Sequence, residues 1–146
     1  MEVQISGAVL KDIHTIAEKS YPYECCGFMY GSVAMDEVNI MHATEVINDS
    51  DENKRVHYTI PPKEFMKAER YAIDHEIQLI GVFHSHPDHP PKPSERDLAD
   101  ALPELSYFIT SVHQGQAIDT RSWRLTEDRK FLEEQIEIIP AIRDNK

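Results

Sequence analysis

An apolar run, Ile77-Gln78-Leu79-Ile80-Gly81-Val82-Phe83, leads straight into His84-Ser85-His86-Pro87. Apolar on both faces, Ile77 to Phe83 reads as a central strand buried on both sides. A proline-rich loop follows, with prolines at 87, 90, 91 and 93, and then Ser94 and Asp97. Side chains alternate along a strand, so His84 and His86 point the same way. Two imidazoles on one side of a strand end can grip one metal ion. Ser94 and Asp97 stand where a helix would begin, and residues three apart share a helix face. Asp97 can then offer a carboxylate oxygen as third ligand, leaving one position open, as in catalytic rather than structural zinc sites.

Each piece also has a plainer reading. Two histidines in a strand can be surface residues. Ser94-x-x-Asp97 is also a helix N-cap followed by an acid suited to the helix start. The two readings of Ser94 are compatible. The Pro87–Pro93 loop has few conformations to lose, so it can hold the two ligand groups in fixed relation, or simply be a rigid surface loop. His89 within it reads as solvent-facing.

The spacing has a family likeness. His84-Ser85-His86-Pro87, seven residues from Pro87 to Pro93, then Ser94-Glu95-Arg96-Asp97, resembles the JAMM motif of MPN-plus zinc metalloproteases. That motif has a glutamate far upstream, then His-Ser/Thr-His, seven residues, Ser, two residues and Asp. The upstream glutamate is matched by Glu24 in Tyr21-Pro22-Tyr23-Glu24-Cys25-Cys26-Gly27, which is similar to the start of compact bacterial and archaeal members. No motif position departs. The resemblance implies one zinc ion per chain on His84, His86 and Asp97, with Glu24 as acid/base and Ser94 as oxyanion donor. It implies a curved mixed β-sheet flanked by helices, an α/β (α+β) architecture of the JAMM/MPN, cytidine-deaminase-like fold. It further implies hydrolysis of a peptide or isopeptide bond after the C-terminal Gly-Gly of a ubiquitin-like or sulfur-carrier protein. Two other roles fit such a domain: a peptidase acting on phage-tail or cell-wall peptides, and a noncatalytic scaffold. A DNA-repair-associated relative of the fold is disfavoured by charge.

A length of 146 residues fits one domain, 1–146. The formal net charge of -11 argues against nonspecific nucleic-acid or anionic-membrane binding. No apolar run approaches the roughly 20 residues needed to cross a bilayer. Met1-Glu2-Val3-Gln4-Ile5 lacks a signal-peptide pattern, so the expected location is the cytoplasm. Cys25 and Cys26 are neighbours, with Cα atoms about 3.8 Å apart, too close for an ordinary disulfide. They read as reduced thiols, one facing the core and the other the opposite side.

Along the chain, Val3 and Ile5 predict a short strand and Ser6 an N-cap. Val9, Leu10, Ile13, Ile16 and Ala17 predict an amphipathic helix over 7–19, ended by Tyr21-Pro22. Cys25–Tyr30 reads as a strand, Gly31-Ser32 as a turn and Glu37–Asn48 as a second strand. Asn48–Asn53 reads as a solvated polar loop, since no calcium-loop pattern is present. Val56–Ile60 reads as a third strand. Pro61-Pro62 starts a helix with an apolar stripe of Phe65, Ala68, Ala72 and Ile73. Ser94–Ala101 reads as a short helix. Tyr107–Val112, Ala117–Leu125 and Lys130–Ile139 read as closing strands, although the last could form a helix. Trp123 and Leu125 point inward together. The tail, Arg143–Lys146, is expected to fray. His14, His42, His57, His75 and His113 are assigned core or surface roles.

Overall fold

The computed structural model describes residues 1–140. The elements in chain order are β1 (Glu2–Ser6), α1 (Gly7–Ser20), β2 (Cys26–Ala34), β3 (Glu37–Val46), α2 (Pro62–Asp74), β4 (Gln78–Pro87), α3 (Glu95–Asp100), β5 (Ser106–His113), β6 (Gln116–Leu125) and β7 (Phe131–Ile139). The strands run β1-β3-β2-β4-β5-β6-β7, and β7 returns to pair with β1, so the curved sheet closes on itself. It is mixed: β1 is parallel to β3 and β7, β4 is parallel to β5, and the other pairs are antiparallel.

Strand alternation explains where the helices sit. Met29, Phe83 and Phe108 face one way and pack with Ile13 and Ala17 of α1. Their neighbours Phe28, Val82 and Tyr107 face the other way and pack with Ala68 and Ala72 of α2. The expected central strand is therefore buried on both faces, between β2 and β5. Each fully buried phenylalanine stabilises the fold by roughly 1.5–3 kcal/mol. Gly27 faces Phe83 across the β2–β4 ladder, and a Cβ there would lie 2.4 Å from that ring. The glycine lets the ring lie flat over β2.

The structure departs from the sequence expectations at several places. Gly31-Ser32 is not a turn but lies inside β2, where the ladder to β3 shifts register. A Cβ on Gly31 would meet the Asn39 carbonyl at 1.8 Å, so close backbone approach, not turning, requires glycine there. The turn comes at Met35-Asp36. Val56–Ile60 is irregular rather than a strand. Its backbone groups are taken up by Asn48, which accepts from Thr59 N–H and donates to the His57 carbonyl. The preceding loop is not merely solvated, because Ser50 is buried. Ile73 leaves the apolar stripe and is exposed, one step of helical rotation beyond buried Ala72. The last closing strand is present as expected, over Phe131–Ile139, and the helical alternative falls. Trp123 and Leu125 do join the core beneath α2. The expected fraying of Arg143–Lys146 lies outside the described residues.

Candidate metal centre

The centre forms where β4 runs out from under α2. His84 and His86 share the face of Val82, and are 1% and 7% exposed. Neighbouring β2 and β5 hold that end of β4 on both sides, pairing His84 with Cys26 and with Ile109. The intervening Ser85 points to the opposite face and accepts a hydrogen bond from Cys25 N–H at 2.8 Å.

The proline-rich loop is pinned through successive carbonyls. Ser111 Oγ donates to the His89 carbonyl at 2.7 Å, and Trp123 Nε1 donates to that of Pro91 at 3.0 Å. Between them, His86 Nδ1 donates to the Pro90 carbonyl at 2.9 Å. That bond sets the tautomer when the ring is neutral: Nδ1 carries the proton and Nε2 offers its lone pair. The loop thus orients one ligand and delivers the next.

Ser94 caps α3, the short helix carrying Asp97. Its Oγ accepts from Asp97 N–H at 3.0 Å, and its own N–H donates to Asp97 Oδ2 at 2.9 Å. The N-cap reading of Ser94-x-x-Asp97 therefore holds, and the cap aims the carboxylate inward. Asp97 Oδ2 lies 3.1 Å from His86 Nε2, and Oδ1 lies 3.8 Å from His84 Nε2. Burial works against charge at Asp97. The His84 and His86 imidazoles and the Ser94 N–H outweigh it and hold the carboxyl well below the usual range. Burial likewise opposes a charged His86, but Asp97 and the Pro90 carbonyl raise its pKa.

Glu24 sits between α1 and β2 and is 5% exposed, so it is no loose surface acid. Its N–H donates to the Lys54 carbonyl at 2.7 Å, and its carbonyl accepts from Asn48 Nδ2 at 3.1 Å. Its Oε1 comes 3.7 Å from His84 Nδ1. Glu24 Oε1, His84 Nδ1 and His84 Nε2 are buried without a hydrogen-bond partner among the described residues. Buried polar atoms are rarely left so, and a cation satisfies such a group through the carboxylate oxygen and the one lone-pair nitrogen of the ring, the other ring nitrogen carrying its proton. Glu24, His84 and His86 each bring one ligand atom within 4.8 Å of the others. Asp97 touches the same two imidazoles from the other side. The fold thus gathers Glu24, His84, His86 and Asp97 into one cluster. Ser94 lines the adjoining cleft of about 300 Å³ with Glu24, His86 and the exposed His89.

The neighbouring thiols belong to the core. Burial pushes Cys25 up to about 12 and Cys26 higher still, so neither is a thiolate near neutrality. Both are free thiols, as expected from their adjacency.

Sequence reasoning missed the mount of this cluster. Asn48 makes four bonds: Nδ2 to the Glu24 and His57 carbonyls, and Oδ1 from Ser50 and Thr59 N–H. The Tyr58 ring then stacks on His84, with centroids 4.4 Å apart. Arg96 Nη2 donates to His57 Nε2 at 2.8 Å, and His57 Nδ1 bonds Ser50 Oγ at 2.9 Å. Arg96 also grips Glu52 with both terminal nitrogens, at 2.8 and 2.7 Å. The loop carrying Tyr58 is thereby joined to the helix carrying Asp97. An Asn followed by Ser two residues on was a visible turn signal. The partners 24, 57 and 59 were not visible. Asn48→Ala removes all four bonds, and its expected cost is about 2 kcal/mol, a Tm lowered by roughly 5–8 °C in a thermal melt.

Comparison with known proteins bears on this geometry. The family model described as prokaryotic homologs of the JAB domain matches residues 6–126, a span from the α1 cap to the end of β6. A curated relative, the desampylase of Pyrococcus furiosus, is 28% identical over 113 residues, covering 77% of this chain and 74% of the relative. A solution structure from Desulfitobacterium hafniense superposes with a TM-score of 0.85 at 23% identity, covering 98% of this chain and 97% of that one, a likeness of fold. Another, from Salinibacter ruber, has a TM-score of 0.73 and 31% identity, covering 97% and 92%. The matched span takes in all five residues of the sequence motif together with the strands and helices that hold them, and the chain belongs to the prokaryotic JAB-domain family.

Proposed function

We propose that this protein is a zinc-dependent peptidase or isopeptidase that hydrolyses the bond after the C-terminal Gly-Gly of a ubiquitin-like or sulfur-carrier protein. It acts as one domain, residues 1–146, in the cytoplasm. One observation carries the reading: buried, unpartnered atoms of Glu24 and His84 meet His86 and Asp97 beside an open cleft. The likeness to a desampylase, named for taking a modifier off its target, supports the substrate class.

In this reading His84, His86 and Asp97 hold one zinc ion. When bound, zinc supplies a Lewis acid that brings the pKa of a water close to 7. Glu24 accepts the proton of the attacking water and passes it to the leaving amine, a task for a carboxylate within hydrogen-bond reach. Its backbone, fixed by Lys54 and Asn48, keeps the carboxylate beside His84. Ser94 Oγ already accepts from Asp97 N–H, so its own O–H is free to donate to the developing oxyanion. Ser94→Ala is expected to keep zinc and slow turnover by roughly 100-fold, the usual worth of such a donor, as seen in kcat and metal content. The lost helix cap costs a further ~1 kcal/mol in stability, which a melt separates from the kinetic effect.

The direct test offers the zinc-loaded protein a panel of ubiquitin-like and sulfur-carrier proteins extended beyond Gly-Gly, with products weighed by mass spectrometry. Cleavage immediately after Gly-Gly, stopped by a chelator, is the expected result. Failure to trim any of them would overturn the substrate assignment.

A further inference from the structure

We infer that the face beside Glu24 is a docking surface for the folded body of an acidic protein. Its identity as a ubiquitin-like carrier whose tail enters the cleft rests on the function proposed above.

The chain has 26 acidic residues and 15 basic ones, so carboxylate partners are plentiful. Lys67, Arg70, Arg96, Arg121, Arg124 and Lys130 each pair with a carboxylate. Among the described residues, Lys19, Lys54, Arg55 and Lys92 make no such pair, and all four lie around Glu24. Lys92 lines the cleft that holds His86 and Ser94. Lys19 and Lys54 line the hollow on the other side of Glu24. Arg55 lies over Tyr23 of that hollow, 5.9 Å from the ring centre. Among the described residues, three other cations without a carboxylate partner lie elsewhere: Lys63 by the neighbouring hollow, Lys11 on α1, and Arg129, which bonds the Leu98 and Ala101 carbonyls.

The acids nearby offset only part of this charge. Of those lining the two hollows, Glu24 is buried and Glu45 is exposed. Glu52 is held by Arg96, and Asp88 accepts from Tyr21 Oη and Gln114 N–H. Apolar side chains stand among the cations: Val56, in the cleft with Lys92, is 55% exposed, and Tyr23, in the hollow with Lys19 and Lys54, is 49% exposed. An apolar centre with a charged rim is how protein interfaces are built, and the rim selects a partner of opposite sign. A polyanion without an apolar face would gain nothing from Val56 or Tyr23. The two hollows share Glu24, so a tail in one places the body of its protein over the other.

The test compares the full-length zinc-loaded protein with Lys19→Glu/Arg55→Glu. Two probes carry the same extended Gly-Gly tail: a free peptide, and a ubiquitin-like carrier of net negative charge. The double variant is expected to raise KM for the carrier about 10-fold, with kcat and peptide hydrolysis unchanged. Raising salt from 0.05 to 0.5 M should weaken carrier binding by the wild type, because surface charges are screened beyond roughly 4–14 Å over that range. Equal KM values for variant and wild type, or an equal loss on the peptide, would overturn the docking face. Carrier binding to the wild type is measured separately by fluorescence anisotropy, which needs no hydrolysis. If neither probe is cut but binding occurs and depends on Lys19, Arg55 and salt, the docking face stands and the catalytic reading falls. If nothing binds, the docking face falls too.

Discussion

Glu24→Gln is expected to abolish most hydrolysis, by roughly 10²–10⁴-fold, while the protein keeps its zinc and its fold. The substitution is close to isosteric, and both backbone bonds that mount the residue survive, since they involve the Glu24 N–H and carbonyl. An amide cannot take a proton from water near neutral pH, so only proton transfer is removed. The measurement pairs turnover on a Gly-Gly-extended carrier with metal content. Full activity in the variant would sink the acid/base role. Loss of zinc would mean that Glu24 is itself a ligand. That outcome has to be tested because Glu24, His84 and His86 also form a compact triad.

The second large effect concerns the metal. Zinc at 100 times its Kd is expected to stabilise the wild-type protein by about 2.7 kcal/mol, raising Tm by roughly 8 °C. His84→Ala should erase that rise together with activity. The variant also loses the stack on Tyr58, so its metal-free Tm should fall. The informative quantity is therefore the response to zinc, not the Tm alone. Asp97→Asn separates the two overlapping triads. Asparagine can still accept from Ser94 N–H and preserve the helix cap, so α3 stays in place. Lost zinc response in Asp97→Asn, with zinc kept in Glu24→Gln, assigns the ligands as His84, His86 and Asp97. The reverse pattern would make Glu24 the third ligand and remove the proposed base. An unchanged melting curve on adding zinc to the wild type would remove the metal reading altogether.

What the sequence determined by itself was carried by short spacings. Alternation from Ile80 to His86 placed two imidazoles on one face of a strand buried on both sides. Ser94-x-x-Asp97 encoded a helix cap that also aims a carboxylate. Most elements were legible because period 2 and period 3.6 are local properties of the chain. Boundaries failed where a glycine served close approach, as at Gly31, or where a side chain satisfied the backbone, as Asn48 does for residues 57 and 59. The remaining features arise from long-range packing. Closure of the sheet depends on β1 meeting β7, more than a hundred residues away in the chain. Burial of Glu24, the stack of Tyr58 on His84 and the hold of Trp123 on the Pro91 carbonyl likewise join residues distant in sequence. Such contacts leave no periodic trace, because each depends on how the whole sheet curves rather than on the residues beside it.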